Sequence, residues 1–426
     1  MERMKGPRAL GALALVVTLS ALLTLGALPA AAPAVIVQVA GRTLSFQPIH
    51  PGGASQANPQ AKSGQPLLYH GGRVMTSNTN YAFYWDPAGG PEFPGGYQTG
   101  LTRYFEDVAH DSGAKKTIDS VLAQYTQNGT EPAAYSSAFG GALLDTNAYP
   151  ANGCASAPIC LTDAQLRSEL TAYVQAHGLP SDLSHAYFII TPPGVESCSD
   201  AEGHKCSDGA GHPTYCAYHG AIESGSSVIV YAHDPYVDGT GCDVGEEHPN
   251  GNPSDATIGG GLAHEHAEMV TDPTLKAWYD AKGNEVADKC RTLKATTEFG
   301  PPLGQAPNGS NYNQVINSDL YWYQQVWSNA EEACEQRAAV LPVVTKLSPK
   351  AGPSSGGTAV KITGTGFSAP ATVKFGSTSA TSVTVNSSTS ITAVSPPGTK
   401  GTVDVTVTTA AGTSGIVKKD HFKYKK

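Results

Sequence analysis

The residues best suited to chemistry lie in one short run, Gly259 to Pro273, which reads GGGLAHEHAEMVTDP. If a helix begins after the glycines and ends before the proline, His264, Glu268 and Asp272 lie at i, i+4 and i+8 on one helix face. Zinc peptidases with an HExxH motif use ligands at i and i+4, and a glutamate at i+1 activates the bound water. Here a glutamate replaces the second histidine, so the motif is HExxE.

This motif predicts a zinc site, with His264 and Glu268 as ligands and Glu265 as the catalytic residue that activates water. Asp288 is the predicted third ligand, because the preceding loop WYDAKGNEVAD could fold back over the helix. Less certain ligands are Asp272, His219 and Glu285. His266 is expected to face away from His264 and to have a structural role. The alternative is a polar helix without a metal, in which these carboxylates cap turns and the histidines are hydrogen-bonded.

The N-terminus predicts export from the cell. Three basic residues precede an apolar run from Ala9 to Leu28, and small residues follow, which is the order of a secretory signal peptide with cleavage between Ala30 and Ala34. An uncleaved membrane anchor is the alternative. Eight cysteines in an exported chain predict a disulfide framework, with Cys154 and Cys160 as the most readily paired residues. The mature protein is therefore expected to be secreted, with no membrane span after cleavage.

Composition divides the chain into four segments. Residues 1–34 are the signal peptide, and residues 35–75 are a linker or pro-segment because they are rich in Gly, Pro, Ser, Gln and Asn. Residues 76–340 form a body, and residues 341–426 form a separate domain. The total net charge is −9, but the segment from Val343 to Lys426 has ten lysines, no arginine and two acids, a net charge of +8 that leaves −17 for the rest. This asymmetry indicates contact with a polyanionic surface or with the body itself, or serves solubility alone.

The body is predicted to be α+β, a mixed sheet with flanking helices. Apolar residues at three- and four-residue steps predict helices in YQTGLTRYFEDVAHDSG, TIDSVLAQYTQN and LTDAQLRSELTAYVQAHGLP. In the last of these, Thr162 and Gln165 fit a capping box. The segments NYAFYWDP, HAYFIITPPG, SSVIVYAHDP and YWYQQVWSN are predicted as strands. The motif helix is expected to be zincin-like, against the sheet with His264 facing a cleft.

The C-terminal segment alternates Val, Thr and Ile with turn residues, which is typical of an all-β sandwich. Its pieces LSPKAGPSSGGTAVKITGTGF, VKFG and VSPPG resemble an IPT/TIG domain from Leu341 to Lys426. The resemblance implies an immunoglobulin-like module without a disulfide that works as a spacer or as a binding and adhesion unit.

The body resembles the exordium, or phosphate-induced protein 1, family from about Asn80 to Cys334. The matching pieces are YFIITPPGVESC, YCAYHG, GLAHEHAEMVTDPTLKAWYDAKGNEVADKC and YWYQQVWSNAEEAC. Departures are His266, where members often carry an aliphatic residue, and Lys276-Ala277 in place of Asn-Ala. Plant members are secreted apoplastic proteins linked to growth responses. The resemblance implies export, and it marks His264, Glu265, Glu268 and Asp288 as one set.

Two functions follow from these patterns. The first is a secreted zinc-dependent hydrolase, similar to a peptidase, with an appended adhesion or spacer domain. The second is a non-catalytic extracellular or cell-wall-associated binding protein in which the same residues form a structural metal or hydrogen-bond cluster. The expected partner is an extracellular protein or a cell-wall polymer. Nucleic acid is excluded as a partner because the lysine-rich segment has no stacking platform, and GTGFSAPATVKFG is not placed between a strand and a helix.

Overall fold

The computed structural model of the chain describes residues 36–39, 42–48, 65–113, 117–134, 136–207, 213–243, 247–291, 298–338, 341–367, 369–387, 389–409 and 412–426. The predicted signal peptide and its cleavage site lie outside the described residues. Among the helices of these ranges, none is both long enough and apolar enough to cross a membrane.

The body contains twenty strands in its described ranges. They are β1 Ile36–Val39, β2 Arg42–Pro48, β3 Leu68–Tyr69, β4 Asn78–Trp85, β5 Thr126–Gln127, β6 Glu131–Pro132, β7 Ser137–Asp145, β8 Ile159–Thr162, β9 His185–Thr191, β10 Val195–Cys198, β11 Cys206–Ser207, β12 Pro213–Ser224, β13 Ser227–Pro235, β14 Trp278–Tyr279, β15 Gly304–Gln305, β16 Asn311–Tyr312, β17 Gln314–Ile316, β18 Asp319–Tyr321, β19 Val326–Ser328 and β20 Ala333–Glu335. Its helices are α1 Tyr97–His110, α2 Asp119–Leu122, α3 Asp163–Ala176, α4 Ser254–Thr257 and α5 Ala263–Thr271.

A mixed sheet of ten strands organises the described part of the body. Its order is β7-β4-β9-β13-β12-β11-β10-β8, with β2 paired to β12 and β1 paired to β2. Strands β7, β4, β9 and β13 are parallel, whereas β12 is antiparallel to both β13 and β2. The central strand β9 is apolar from Ala186 to Ile190 because both faces of the sheet are covered.

Each face of this sheet packs against different helices. On one face, Phe188 of β9 shares a core with Leu101 of α1 and Ala267 of α5. On the other face, Tyr187 shares a second core with Leu166 of α3. Successive side chains of a strand point to opposite faces, so neighbouring residues of β9 contribute to separate cores. Helix α5 is thereby placed against β12 and β13.

Helix α3 forms as its sequence predicts. The Thr162 side chain accepts a hydrogen bond from the backbone N–H of Gln165, and the Gln165 side chain accepts one from the Thr162 N–H, which completes the capping box. Gly178 follows at a φ of 61°. A left-handed residue after the last turn is the usual end of a helix, and glycine adopts it without steric cost.

The α+β class predicted for the body, with its zincin-like helix, is wrong. The chain is mostly β, with 39% strand and 16% helix, so strands and not flanking helices account for most of its regular structure. Many of these strands have only two or three residues, as in β15 to β20. Such strands are too short to display an alternating pattern, so the periodicity of the sequence does not reveal them.

Three local predictions also differ from the structure. The helix predicted over residues 117–128 is a single turn, α2, followed by β5, and the strand predicted over residues 321–329 is reduced to β19 at residues 326–328. Within the predicted linker, β1 and β2 form a hairpin, and β2 joins the main sheet beside β12. The alternation Leu44, Ser45, Phe46, Gln47 in β2 is the strand signal that the Gly- and Pro-rich surroundings mask.

The C-terminal segment is the predicted β-sandwich. Its strands are β21 Val343–Ser348, β22 Ala351–Pro353, β23 Ala359–Thr365, β24 Thr372–Phe375, β25 Thr378–Ser379, β26 Ser382–Ser387, β27 Ser390–Val394, β28 Gly401–Thr409, β29 Gly412–Thr413 and β30 His421–Lys425. One sheet has the order β21-β23-β27-β26, and the other has β22-β30-β28-β24-β25 with β29 paired to β28. Apolar residues from both sheets, among them Val360, Ile391 and Phe422, form one core.

Candidate metal centre

The HExxE motif lies in the second half of one continuous helical segment, Ser254 to Thr271. In this segment a π-helical turn, Ile258–Leu262, joins α4 to α5. The three glycines are in this turn, so the helical segment begins before them and not after them as predicted. A Cβ on Gly260 would lie 2.4 Å from the carbonyl oxygen of Cys242. Glycine is therefore needed because the helix backbone touches its neighbours, and π-helical turns of this kind are frequent at functional sites.

His264 presents one ring nitrogen to two carboxylates. Its Nε2 lies 3.1 Å from Glu268 Oε1 and 3.3 Å from Asp288 Oδ1. Its Nδ1 lies 3.0 Å from Gln324 Oε1, while the Gln324 amide nitrogen donates to the Ala287 carbonyl at 2.7 Å. Since the amide oxygen can only accept, Nδ1 carries a proton, and Nε2 of the neutral ring has a lone pair directed at the carboxylates.

The spacing of these atoms fits a small cation. Ligands about 2.0 to 2.1 Å from a tetrahedral zinc ion are about 3.3 Å apart. The distances from His264 Nε2 to the two carboxylate oxygens, 3.1 and 3.3 Å, differ from that spacing by no more than about 0.2 Å. Yet neither His264 Nε2 nor Asp288 Oδ1 has a hydrogen-bond partner in favourable geometry. The three residues His264, Glu268 and Asp288 are termed the first triad below.

The loop that carries Asp288 lies directly over α5. Glu268 Oε1 accepts hydrogen bonds from the backbone N–H groups of Ala287 at 3.3 Å and Asp288 at 3.1 Å. Asp288 Oδ2 in turn accepts from the N–H of Glu285 at 2.9 Å. The Trp327 N–H of β19 donates to Val286, so the loop is held on both sides. This network leaves one oxygen of Asp288 directed at His264.

A second set of ligating groups faces Glu268 from the sheet. His219 of β12 places its Nδ1 2.9 Å from Glu265 Oε2, within hydrogen-bond distance. Its Nε2 lies 3.7 Å from Glu285 Oε2, and its Nδ1 lies 3.8 Å from Glu268 Oε2. Potential ligand atoms of His219, Glu268 and Glu285 all lie within 4.8 Å of one another, as do those of the first triad. These three residues are termed the second triad, and Glu268 belongs to both.

Strands β2 and β13 complete the wall of the centre with residues that the sequence prediction missed. Ser45 of β2 is directly opposite His219 of β12 in the strand register, and Gln47 is opposite Ala217. Asp234 of β13 faces the same side, since a Cβ on Gly261 would lie 3.3 Å from its Oδ1. All three polar residues are buried and have side-chain atoms without a hydrogen-bond partner.

The centre carries a large excess of buried carboxylates. Its acidic members are Glu265, Glu268, Asp272, Glu285 and Asp288, and their described neighbours of opposite charge are His219, His264 and Arg291. Each of these acids has at least one side-chain oxygen without a hydrogen-bond partner. Burying an unpaired carboxylate costs several kcal/mol (on the order of 5), so such groups are normally paired with cations or bound to metals.

Burial and mutual repulsion shift the titration of these groups. Desolvation, followed by the charges of neighbouring acids, raises the pKa of Glu285 and Glu268, and it raises the pKa of Asp272 to about 7. Desolvation lowers the pKa of His219, which favours a neutral ring. Burial alone would lower the pKa of His264, but Glu268 and Asp288 outweigh that effect and raise the pKa well above its usual value. The site therefore attracts positive charge to the position between His264 and these two acids.

Two other residues of the motif take supporting positions. Asp272 accepts hydrogen bonds from the N–H groups of Lys276 at 2.6 Å and Ala277 at 2.7 Å, so one of its oxygens orients the chain after the helix. His266 faces away from the centre, as expected, and bonds Asn78 at 2.9 Å. Desolvation lowers the pKa of His266 to about 4, consistent with a neutral structural histidine.

No open cleft reaches the centre in the described part of the chain. His264 is 1% exposed, and Glu265 and Glu268 are 0% exposed. Two described surface pockets, of about 290 and 250 Å³, are lined by other residues, among them Tyr84 and Thr171. The expectation that His264 faces a cleft is therefore not met.

Four disulfides brace the body, as its even cysteine count predicts. They join Cys154 to Cys160, Cys198 to Cys206, Cys216 to Cys242 and Cys290 to Cys334. The first is the pair that the sequence indicated. The last two adjoin the centre, because Cys216 is three residues before His219 and Cys290 is two residues after Asp288. The strand and the loop that supply ligating groups are thus covalently anchored.

Comparison with known proteins identifies one domain. Residues 342–424 match the IPT/TIG domain family, and this part of the chain is an IPT/TIG domain. No curated protein matched the chain. None of these findings supports the resemblance of residues 80–334 to the exordium family, which stays a prediction.

Likenesses to solved structures are short. A plexin A4 extracellular region is 25% identical with a TM-score of 0.19, and covers 25% of this chain and 9% of that one. SGBP-B from a complex xyloglucan utilization locus in Bacteroides uniformis is 24% identical with a TM-score of 0.18, and the match covers 22% of this chain and 28% of that one. The γ-CGTase of Alkalophilic bacillus clarkii is 24% identical with a TM-score of 0.18, and the match covers 27% of this chain and 17% of that one. The chain spans less than a third of the length of each of these proteins.

Proposed function

We propose that this chain is an exported, non-catalytic binding protein that attaches to an anionic cell-wall polymer through its IPT/TIG domain. The observation that carries the proposal is the charge of that domain. All ten of its lysines are exposed, and one of its two acids, Asp420, is buried. The other acid, Asp404, lies 3.2 Å from His421. A dense positive surface of this kind attracts polyanions at low ionic strength.

The lysines are concentrated around one strand. Lys423 and Lys425 alternate with the buried Phe422 and Tyr424, so both point outward from β30, about 7 Å apart. The Lys423 N–H donates to the Lys350 carbonyl at 2.9 Å, which brings a third lysine beside this pair. The outer face of β30 is therefore the proposed contact surface.

Export is supported by the leader sequence and by the four disulfides. Disulfides persist in oxidising compartments and are rare in reducing ones. The order of residues before Ala34 is that of a secretory signal. A secreted location also places the lysine-rich face where wall polymers occur.

In this proposal the first triad holds a structural Zn²⁺ inside the body. His and carboxylate side chains are ordinary zinc ligands, and a structural site is closed by protein, in agreement with the burial of the triad. The hydrolase hypothesis needs a substrate to reach Glu265, and the buried position of this residue favours the binding hypothesis.

Sedimentation with an anionic polysaccharide tests the binding surface. The full-length protein is expected to bind polygalacturonate and to ignore neutral dextran, and binding should weaken as salt increases. The double variant K423Q/K425Q is expected to lose about tenfold in affinity, because each lost contact removes about 0.5 to 1 kcal/mol at low salt.

A matched variant on the opposite sheet provides the control. Lys346 and Lys361 are also exposed, and they lie on β21 and β23. The K346Q/K361Q variant removes the same charge and is expected to keep most of the affinity. Equal losses of affinity in both variants would show that binding depends on the total charge of the domain and not on the β30 surface. Absence of binding to any anionic polymer would reject the proposal.

A further inference from the structure

We propose that the body binds a second divalent cation at the second triad, and that Glu268 bridges the two cations. This inference extends the proposed function, since it takes the cation of the first triad as given. The ligands of the new site are His219, Glu285 and the Glu268 oxygen that the first triad does not use.

The orientation of His219 is that of a metal ligand. Its Nδ1 lies 2.9 Å from Glu265 Oε2. An ionised carboxylate can only accept a hydrogen bond, so beside it the proton of the neutral ring is on Nδ1 and the other ring nitrogen, Nε2, keeps a lone pair. Metal-binding histidines typically donate their second ring N–H to a carboxylate or carbonyl oxygen, which fixes the tautomer. His264 shows the same arrangement through Gln324. His264 thus presents Nε2 to Glu268 and Asp288, and His219 presents Nε2 to Glu285.

The second triad also has buried side-chain atoms without a hydrogen-bond partner in favourable geometry. His219 Nε2, Glu268 Oε2 and both carboxylate oxygens of Glu285 lack hydrogen-bond partners in favourable geometry. His219 and Glu285 are each 0% exposed, so bulk water does not reach them. One potential ligand atom from each of these three residues lies within 4.8 Å of the others in the interior.

Glu268 is placed to serve both triads. Its Oε1 is 3.1 Å from His264 Nε2, whereas its Oε2 faces His219. The backbone N–H groups of Ala287 and Asp288 both bond Oε1 and hold the carboxylate in this orientation. A carboxylate whose two oxygens face different histidines can bind two cations at once.

Charge balance favours two cations over one. Glu265, Glu268, Asp272, Glu285 and Asp288 bring up to five negative charges into the interior, and the cation nearest to several of them is Arg291. One divalent ion compensates two of these five charges, whereas two ions compensate four. Mixed imidazole and carboxylate ligands suit zinc and other divalent transition metals rather than calcium.

Zinc titration of the full-length protein tests this inference. After removal of metal with a chelator, calorimetric titration with Zn²⁺ and elemental analysis are expected to give two ions per wild-type chain. H219A and E285Q are each expected to retain one ion. E265A should bind the second ion about 10- to 100-fold more weakly, because it loses the oxygen that orients His219, and should leave the first ion unchanged.

A surface histidine serves as the matched control. His248 lies 3.0 Å from Asp243 in a separate, partly exposed cluster, and H248A is expected to keep both ions. If H248A loses one ion while H219A and E285Q lose none, the second site is overturned. One ion per wild-type chain, lost in H264A, would overturn the bridge but leave the proposed function intact. Should H219A fail to fold, two ions retained by E285Q at unchanged affinity would equally contradict the inference.

Discussion

At the residue scale, Glu265 shows how burial changes the role of a motif residue. Its position after His264 predicts a base that activates water. In the structure its Oε2 accepts a hydrogen bond from His219, and it is 0% exposed. A general base must reach the proton of a substrate or water. In this geometry Glu265 is instead placed to orient a histidine of the second triad.

Asp119 provides a pH-dependent prediction at the same scale. Desolvation raises its pKa to about 7, against about 3.9 in an unfolded chain. The folded state therefore holds this proton more tightly than the unfolded chain does. The resulting contribution of Asp119 to the free energy of unfolding is complete below pH 4 and is lost as the pH rises toward 7, a decrease of roughly 4 kcal/mol. D119N cannot ionise and is expected to melt at a higher temperature than wild type at pH 8, with a smaller difference at pH 5.

The control for this experiment is an exposed acid. Glu202 is exposed, and E202Q is expected to follow the wild-type melting temperature at both pH values. Ser137 donates to Asp119 at 3.4 Å, and an asparagine oxygen can still accept this hydrogen bond. A D119N protein that is equally destabilised at both pH values would contradict the predicted titration.

At the element scale, the loop over α5 depends on a disulfide. Cys290 and Cys334 are 44 residues apart, and closing a loop of that length stabilises a fold by about 4 kcal/mol in the chain-entropy model. C290S/C334S is expected to lose about this much stability. Zinc affinity of the first triad should fall about tenfold, because Asp288 is on the same loop. Denaturant unfolding and zinc titration measure the two effects.

The Cys154–Cys160 bridge is the matched control for that loop. Its cysteines are 6 residues apart and lie away from the centre, so its removal is expected to cost about 2 kcal/mol and to leave zinc affinity unchanged. If both double variants lose zinc equally, general destabilisation and not the loop explains the result.

At the scale of the whole molecule, the body and the sandwich have separate hydrophobic cores. All four tryptophans, at 85, 278, 322 and 327, belong to the body, so tryptophan fluorescence reports its unfolding alone. Chelation is expected to lower the melting temperature of the body by about 5 to 10 °C, because a ligand at 100 times its Kd stabilises the native state by about 2.7 kcal/mol. Added Zn²⁺ should restore it.

The sandwich serves as an internal reference in the same experiment. Its unfolding, followed by calorimetry, is expected to be unaffected by the chelator, since its core contains none of the ligating residues. The melting temperature from fluorescence could instead be unchanged by chelator and by Zn²⁺. That result would contradict a bound metal and would assign the stability of the centre to hydrogen bonds among protonated acids.

The sequence by itself determined the features that depend on neighbouring residues. The capping box at Thr162, the Cys154–Cys160 bridge, the IPT/TIG domain and the shared face of His264 and Glu268 are all set by short spacings. Within such distances the geometry of a helix or turn leaves few alternatives, so residue types and spacing are sufficient.

The tertiary structure alone decided the composition of the centre. Ser45 is opposite His219 because β2 pairs with β12 in one particular register, although 174 positions separate them in the chain. Glu268 meets His219 only because β12 packs against α5, and it meets Asp288 only because the 285–290 loop lies over the same helix. The predominance of strands was also hidden, since pairs of two or three residues leave no periodic signal. Strand register and packing join residues that are distant in sequence, and no local pattern records which of them will meet.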